Sequence, residues 1–474
     1  MRSGLAIAAV VLVALSSALT GAPAFAAPPR ALPLHFRATG FFRVQHAAGR
    51  WWIVTPDGRP FYSSGINHVT ADTDTDRTTG TCPYCDAVAA KYPSTDAWAD
   101  ATTQRLRAWG FNTIASWSDI DRFASRMPYT VLLNVASGDD WFAPGFVARG
   151  QAVAQGEVAA RRDDPNLVGW ILDSELRWTP DWRSSNTLLA DYLALPAGSP
   201  GRAVAERYAQ TPTRFLRALA DRYFSVTTRA IRAVDPHHLI LGVKMVAQLT
   251  PIEVLQAARR YVDVFSIDDY TLVPGLDDYL QKTWGPFVPV DPTLAAQYAV
   301  LRRPIIIGEY SFRAADAGVP NSWPPIFPTY ATQADRAAAY RSFVEPLYGA
   351  PWIVGDDWFE YVDEPAGGRF DGEDSNFGVV STGDVPWQTL VDTMTQVHAE
   401  APDRVADPAP ACLAWRRTGP TNAGQCANAG RDVGGEGKES NLPSPARRDN
   451  AVLKTGGATG PHPSPCLGGR GAER

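Results

Sequence analysis

Residues 165–178 read PNLVGWILDSELRW, and this stretch joins an apolar first half to a polar end. The first half is rich in branched side chains, which is typical of a strand buried on both faces. The polar end holds Asp173, Ser174 and Glu175. Alternate residues of a strand face opposite ways, so Asp173 is expected to support a site rather than act in it. In (β/α)8 barrels the chemistry lies at the carboxyl ends of the strands, which makes Glu175 a candidate.

A second stretch repeats this design. Residues 304–310 read PIIIGEY, so three isoleucines lead through Gly308 to Glu309. Retaining glycosidases use two carboxyl groups about 5–5.5 Å apart, one as the nucleophile and the other as acid and then base. Two strand-end glutamates of one barrel meet that requirement. We therefore predict Glu309 as the nucleophile and Glu175 as the acid/base.

The alternation of apolar segments with helical patterns predicts the fold class. Eight strand candidates are separated by helix-like stretches, which indicates an α/β protein with a (β/α)8 (TIM) barrel. An open doubly wound sheet is the alternative, but no Gly-rich phosphate turn follows the first strand. Predicted helices include residues 94–109, 213–234, 252–261 and 332–347. The predicted strands are residues 60–69, 111–117, 129–135, 167–175, 239–245, 262–268, 304–310 and 353–359.

Both ends of the chain are predicted to lie outside the barrel, which we place at residues 60–404. Residues 1–26 carry an early arginine, an apolar run and an Ala-Phe-Ala end, the pattern of a signal peptide, so we expect a secreted, extracellular protein. Residues 27–59 are predicted to contain a β-hairpin. Residues 405–474 form a low-complexity tail. Its last part, residues 430–474, is so rich in Gly, Pro, Ser and Arg that we expect disorder.

Composition narrows the partners of the protein. The net charge of −6 and the pI near 5.7 argue against nucleic acid and against an anionic membrane as partners, and we expect no membrane contact after signal cleavage. The chain has 15 Trp and 16 Tyr, and exposed aromatic rings pack well against sugar rings. Most of these aromatics are nevertheless expected in the core. The predicted partner is a polysaccharide or oligosaccharide, and the sequence leaves the oligomeric state open.

Three stretches, in this order, resemble the agarase-type glycoside hydrolases of clan A, the β-agarase family numbered 50. The first is GRWWIVTPDGRPFYSSGINHV at residues 49–69, and the second is the opening stretch with Glu175. The third runs from PIIIGEYSFR through VGDDWFEYVDEPAGGRFDGEDSNFGVV, which ends at Val380. The resemblance covers roughly residues 40–390. It implies a (β/α)8 barrel, double displacement with retention, and a β-linked polysaccharide substrate such as agarose.

Ser174 departs from the pattern of that clan. An Asn that donates to the sugar 2-hydroxyl usually precedes the acid/base glutamate, and this chain has Ser174 instead. Two alternatives to an agarose-like galactan substrate therefore stay open. One is a clan A hydrolase acting on another β-glycan, and the other is a carbohydrate-binding barrel with weakened catalysis. The presence of both glutamates argues against the second. The absence of a G-x-S-x-G elbow argues against a serine hydrolase.

Residues at other strand ends are predicted to surround the glutamates. The resemblance implies that Tyr270, after the sixth strand, donates to the nucleophile, with a core position as the alternative. Trp358 ends the eighth strand and is predicted to form a sugar platform, with packing inside the barrel as the alternative. Asn67 and His68 end the first strand and are predicted to bind sugar hydroxyls. A purely structural role for His68 is the alternative.

The long loop after the eighth strand is rich in polar side chains. It reads GGRFDGEDSNFG at residues 367–378, and we predict that Arg369, Glu373 and Asn376 shape the substrate subsites. A calcium loop is the alternative, because oxygen ligands are dense here. Its spacing does not match the D-x-[DN]-x-[DN]-G pattern, so neither a metal nor a cofactor is expected.

Cys82 and Cys85 form a C-P-Y-C motif that resembles a glutaredoxin redox site. Here the motif follows the first predicted barrel strand of a chain expected to be secreted, so a structural disulfide is the better interpretation. A zinc site would need a second cluster of suitable spacing, and none is present in the sequence. Of the remaining Cys412, Cys426 and Cys466, the nearer pair Cys412–Cys426 is the expected second bridge.

Overall fold

The computed structural model describes residues 34–136, 140–276 and 293–406. The predicted signal peptide, the region from residue 407 onward and the Cys412–Cys426 pair lie outside the described residues. Across the described ranges, no helix has the length and apolar character that crossing a membrane requires.

A small antiparallel sheet precedes the main sheet. Strands β1 (Arg43–Ala47) and β2 (Arg50–Val54) form the predicted hairpin, and β3 (Pro60–Phe61) pairs with the other edge of β2. The predicted first barrel strand, residues 60–69, is therefore divided. Its first residues join the hairpin as β3, and strand β4 (Ser63–Ile66) enters the main sheet, because these two segments pair with different neighbours.

The buried side chain of Arg50 ties the hairpin to the end of the described chain. Its Nη1 donates to the carbonyl oxygens of Tyr348, at 3.0 Å, and Val405, at 2.6 Å. Val405 lies in the last turn of a helix that ends at Ala406, two residues beyond the predicted boundary of the barrel at residue 404.

The main sheet is parallel in all of its strand pairs. Two further short strands, β12 (Arg313–Ala314) and β13 (Thr329–Tyr330), pair in a separate two-stranded sheet. Besides β4, the strands of the main sheet are β5 (Thr113–Ile114), β6 (Tyr129–Leu132), β7 (Leu167–Ile171), β8 (Leu239–Ile240), β9 (Met245–Val246), β10 (Phe265–Asp268), β11 (Ile305–Tyr310) and β14 (Ile353–Trp358). Their order is β8-β7-β6-β5-β4-β14-β11-β10-β9.

The two outermost strands of that order come from one predicted strand, residues 239–245. The chain is interrupted at Gly242, whose φ of +77° suits glycine. As a result β8 pairs with β7, while β9 pairs with β10. Between them, the Leu241 amide donates to the Trp170 carbonyl at 2.8 Å, and the Ser266 amide donates to the Leu241 carbonyl at 2.9 Å. This one segment therefore bonds to strands on both of its sides.

Helices follow most strands and bury their apolar faces against the sheet. In the longest helix, Phe215, Leu219 and Tyr223 recur every fourth residue and are all buried. The four helices predicted from periodicity are all present, with ends shifted by a few residues. The helices are α1 (Pro83–Lys91), α2 (Thr95–Ala108), α3 (Ile120–Phe123), α4 (Pro144–Val153), α5 (Ala159–Arg161), α6 (Leu188–Leu193), α7 (Pro200–Arg207), α8 (Pro212–Arg232), α9 (Ile252–Ala258), α10 (Leu294–Leu301), α11 (Gln333–Gly349) and α12 (Gln388–Ala406).

The parallel arrangement brings the predicted site residues to one edge of the sheet. Every residue of β7 and of β11 is buried, as their apolar sequences predict. Since the carboxyl ends of parallel strands meet at the same edge, the polar residues that follow or end these strands converge there.

Candidate active site

Glu309 is held from two sides near the end of β11. Its side chain is almost fully buried, at 6% exposure. The ammonium of Lys244 lies 2.7 Å from its Oε1, and the hydroxyl of Tyr270 donates to its Oε2 at 2.9 Å. The predicted donation from Tyr270 is therefore present in the structure. Both oxygens of this carboxylate have a fixed partner, which restricts its rotation.

Glu175 lies in a left-handed backbone conformation beyond the end of β7, with φ of +45°. The backbone amide of Glu175 donates to the Lys244 carbonyl at 2.7 Å. The backbone carbonyl of Glu175 accepts from the Arg183 guanidinium at 2.6 Å. Burial, followed by the negative charge of Glu309, raises the pKa of Glu175 to about 7. The group can therefore hold a proton near neutral pH, which a general acid requires.

A third carboxyl group, Asp268, joins the two glutamates. One carboxylate oxygen from each of Glu175, Asp268 and Glu309 lies within 4.8 Å of the other two. Asp268 ends β10 and is the strand partner of Glu309 in the neighbouring β11. Burial, followed by the charge of Glu309, raises the pKa of Asp268 well above its usual range. The sequence prediction used only the tyrosine of the FSIDDY stretch and missed this aspartate.

Lys244 was also missed by the sequence prediction, although it lies at the centre of the site. Its side chain is fully buried, and its ammonium lies 3.3 Å from Asn67 Oδ1 and 4.0 Å from the ring centroid of Trp117. A charged residue in the apolar segment LGVKMV was the signal that could have revealed it. A buried lysine needs an ionic partner, and here that partner is Glu309.

Asn67 occupies a supporting position rather than a sugar-binding one. It is fully buried, and its amide donates to the carbonyl oxygens of Gly308 at 3.0 Å and Asp357 at 3.3 Å. Its side-chain oxygen accepts from Lys244. The predicted contact with a sugar hydroxyl is wrong in this structure, because the side chain is enclosed and its polar atoms are already bonded.

Trp358 does not offer a face to a sugar. The indole is fully buried, and its Nε1 donates to the carbonyl oxygens of Glu360 and Phe377, each at 3.0 Å. Its ring packs edge-on against Tyr310, with centroids 5.5 Å apart. The predicted sugar platform is therefore wrong, and packing inside the protein, the stated alternative, is what the structure has. Trp117, half-buried after β5, is the aromatic residue beside Lys244.

His68 is bound to Glu360 at the same edge. Its Nδ1 makes a short hydrogen bond with Glu360 Oε2 and lies 3.9 Å from Asp74 Oδ2. Burial lowers the pKa of His68, but the charge and hydrogen bond of Glu360 outweigh it and the pKa is raised. His68, Asp74 and Glu360 form the second set of side chains, in the ranges described, that lie close enough to share a cation.

Comparison with known proteins identifies what the chain resembles. No protein-family model matches it. It is 24% identical to β-agarase A of Vibrio sp. (strain JT0107) over 465 residues, which covers 76% of this chain and 45% of that protein. β-Agarase B of the same organism is also 24% identical, over 77% of this chain and 48% of its own length. Over about three quarters of its length, this chain is therefore similar to β-agarases. It spans about half the length of these curated relatives.

Solved structures show the same relationship at the level of the fold. The agarase AgWH50C matches this chain with a TM-score of 0.65 and 23% identity, over 79% of this chain and 65% of that one. An exo-β-agarase matches with a TM-score of 0.65 and 22% identity, over 78% and 66% of the two chains. The strand arrangement described above is thus shared with agarases.

The loop after β14 carries three predicted residues, and two of them, Arg369 and Glu373, form an ion pair. Arg369 pairs with Glu373 at 2.6 Å, and the negative charge of Glu373 contributes to the raised pKa of Glu175. Asn376 is instead fully buried, and its Nδ2 donates to Asp363 Oδ1 at 2.7 Å. A subsite role for Asn376 is therefore wrong, because its side chain holds the loop together from inside.

The cation that neutralises this loop is a guanidinium. Besides Glu373, Arg369 lies 3.0 Å from Asp371 and 3.6 Å from Glu364. These contacts argue against the calcium alternative, since Arg369 already supplies the positive charge that the carboxylates require.

The residues before Glu175 take the sides predicted for them. Asp173 is buried, accepts from the Ala136 amide at 2.9 Å and makes a short hydrogen bond with Tyr223 of α8. Burial raises the pKa of Asp173 to about 7. Ser174 is half-buried and forms a parallel bridge with Lys244. Asp173 thus faces the helices, in agreement with a supporting role.

Cys82 and Cys85 form a disulfide, as predicted. Cys82 also caps helix α1, because its sulfur accepts from the Cys85 amide at 3.3 Å. The motif therefore fixes the start of a helix that follows β4.

Proposed function

We propose that this chain is a secreted glycoside hydrolase that cleaves a β-linked, agarose-type galactan with retention of configuration. The observation that carries this proposal is the pair Glu175 and Glu309. They lie at the ends of two strands of one sheet, with oxygens within 4.8 Å of each other. One has its pKa raised to about 7, and the other is paired with an ammonium. A carboxyl group that can hold a proton near neutral pH, beside one that is paired with a cation, suits an acid and a nucleophile.

The spacing of the two groups favours retention over inversion. Retaining enzymes hold their carboxyl groups about 5–5.5 Å apart, whereas inverting enzymes need about 6.5–9.5 Å to admit a water. One oxygen of Glu175 and one oxygen of Glu309 lie within 4.8 Å of each other, which supports the retaining arrangement.

The proposed reaction has two steps. In the first, a Glu309 oxygen bonds to the anomeric carbon while Glu175 passes its proton to the departing glycosidic oxygen. In the second, Glu175, now a carboxylate, takes a proton from water, whose oxygen attacks the anomeric carbon and breaks the ester bond to Glu309. Glu175 ends protonated and Glu309 ends ionised, so both groups return to their starting states.

The proposed scaffold is a closed (β/α)8 barrel. Counting β8 and β9 as one interrupted strand gives eight parallel strands. The hydrogen bonds of Leu241 to both neighbouring strands support closure at that point. Closure explains how residues from β7 and β11 come to face each other across one site.

The similarity to β-agarases supports agarose as the substrate class. Trp117, Arg369, Glu373, Ser174 and His68 are the residues proposed to contact the sugar. A clan A hydrolase acting on another β-glycan is the second candidate, favoured by Ser174 in the position of the usual Asn. Export is proposed from the pattern of residues 1–26.

A polysaccharide panel tests the proposal. The purified chain is incubated with agarose, a β-glucan and a β-mannan, and the products are followed by chromatography and by proton NMR of the newly formed anomer. We expect hydrolysis of agarose with the β anomer appearing first. The matched controls are Glu309→Gln, which should be inactive, and Glu206→Gln at an exposed helix position, which should be fully active. Initial release of the α anomer would refute retention, and no hydrolysis of any polymer would refute the enzyme assignment.

A further inference from the structure

We propose that Lys244 is a positioning residue for Glu309, a buried ammonium that orients its carboxylate and assists its departure from the glycosyl-enzyme. The inference rests on the proposed function and deepens it, because it assigns a task to a residue outside the pair of glutamates. No sugar needs to touch Lys244 for this role.

Lys244 is held in place by three contacts from three different strands or strand ends. Its ammonium lies 2.7 Å from Oε1 of Glu309, which is near the end of β11. It lies 3.3 Å from the side-chain oxygen of Asn67, which is just beyond β4. It also lies 4.0 Å from the ring centroid of Trp117, beyond β5, a distance suited to a cation–π contact. The lysine is fully buried, so these contacts replace its hydration.

Of the described carboxyl groups around Lys244, Glu309 is the one that forms the ion pair with it. Burial is the main cause that raises the pKa of both Asp268 and Asp357 well above their usual range, which favours neutral acids. The direct 2.7 Å contact is made by Glu309. A buried cation without an ionised partner is costly, so the pair Lys244–Glu309 is the stable charge arrangement.

The geometry gives this pair a task in each step of the reaction. With Lys244 at Oε1 and Tyr270 at Oε2, the plane of the Glu309 carboxylate is fixed before the sugar binds. In the second step the Glu309 ester breaks and negative charge returns to its oxygens beside the ammonium. A preorganised positive group where charge develops lowers the barrier, so Lys244 should matter most for breakdown of the intermediate.

The kinetic test compares Lys244→Met and Lys244→Arg with wild type on 2,4-dinitrophenyl β-D-galactopyranoside, whose good leaving group makes the second step limiting. We expect Lys244→Met to lower kcat about 100- to 1,000-fold and to lower KM as well, as the galactosyl-enzyme accumulates. Intact mass spectrometry should detect that adduct. Lys244→Arg keeps the charge and should recover part of kcat. Lys91→Met removes an exposed lysine paired with Asp384 and should leave kcat unchanged.

A second measurement needs no substrate. Melting temperatures of Lys244→Met, Glu309→Gln and the double variant form a cycle, and we expect the double variant to lose less than the sum of the single losses. Wild-type kinetics for Lys244→Met, or strictly additive melting temperatures, would overturn the inference. If wild type cleaves no glycoside, the proposed function fails while the cycle still decides whether the two side chains are coupled.

Discussion

The ends of β7 and β11 carry the same residue type in different surroundings. Glu309 is buried, paired with the Lys244 ammonium and bonded to Tyr270. Glu175 is half-buried, and the partners described above hold its backbone rather than its carboxyl group. Burial and the charge of Glu309 raise the pKa of Glu175, whereas an ammonium contacts Glu309. Two glutamates near the ends of two strands of one sheet therefore have different neighbours.

The asymmetry extends to the conformation of the backbone. Glu309 lies within β11, at a point where the register with both neighbouring strands shifts, whereas Glu175 follows its strand by four residues and has positive φ. The chain after Glu175 also carries Arg183, which donates to the Glu175 carbonyl. We infer that β11 fixes the position of Glu309, the proposed nucleophile. The segment after β7 in turn fixes the position of Glu175, the proposed acid/base.

The largest expected effect comes from removing the charge at the end of β11. Glu309→Gln should lower kcat on agarose by roughly 10⁴-fold or more, because no nucleophile remains. Circular dichroism should show an unchanged fold. The measurement is reducing-sugar release from agarose, and near-normal release would show that the chemistry does not depend on this strand end.

Removing the proton donor at the end of β7 should have a smaller and substrate-dependent effect. Glu175→Ala should lower kcat/KM on agarose by about 10²- to 10⁴-fold, the usual contribution of a general acid. The loss should shrink for a dinitrophenyl glycoside in the bond-forming step, since that leaving group needs no proton. The rate of the bond-forming step is measured from pre-steady-state bursts. If Glu175→Ala lowered this rate equally on agarose and on the dinitrophenyl glycoside, the acid role would be contradicted.

The pH profile sharpens the comparison further. The pKa of Glu175 is raised to about 7, and the acid must be protonated, so kcat/KM on agarose should fall as pH rises through about 7. The positive charge of Arg183 opposes this rise. Arg183→Met should therefore move the basic limb to higher pH, by less than about one unit because Arg183 is partly exposed and already paired with Asp181. A limb that moves to lower pH would refute this electrostatic account.

The smallest expected effect concerns the residue before Glu175. Ser174 lacks the amide donor that the resemblance associates with the sugar 2-hydroxyl, so wild type should show a small penalty for 2-deoxy aryl glycosides. Ser174→Asn should raise that penalty, by about tenfold if one hydrogen bond worth about 1.4 kcal/mol is gained. The measurement is kcat/KM for matched glycosides with and without the hydroxyl. A wild-type penalty near a thousandfold would mean that another group already makes this contact.

Periodic and local patterns in the sequence were sufficient for much of this architecture. The alternation of apolar strands with helices predicted an α/β protein, and the runs before Glu175 and Glu309 predicted the two strands that present them. The hairpin and the Cys82–Cys85 bridge were also predictable, because both depend on residues close together in the chain. Local spacing decides such features, so no knowledge of distant neighbours is needed.

Only the tertiary structure decided which polar residues are enclosed and which meet. Asn67, Trp358 and Asn376 end strands or lie in loops like true site residues, yet packing from distant segments buries them completely. Lys244 and Asp268 occupy apolar segments that read as plain strands. Yet Asp268 meets Glu309 from the neighbouring β10, and Lys244 contacts Glu309 from the position just before β9, which is two strands away from β11. The physical reason is that burial and charge pairing depend on strand order and register, which join residues far apart in the chain.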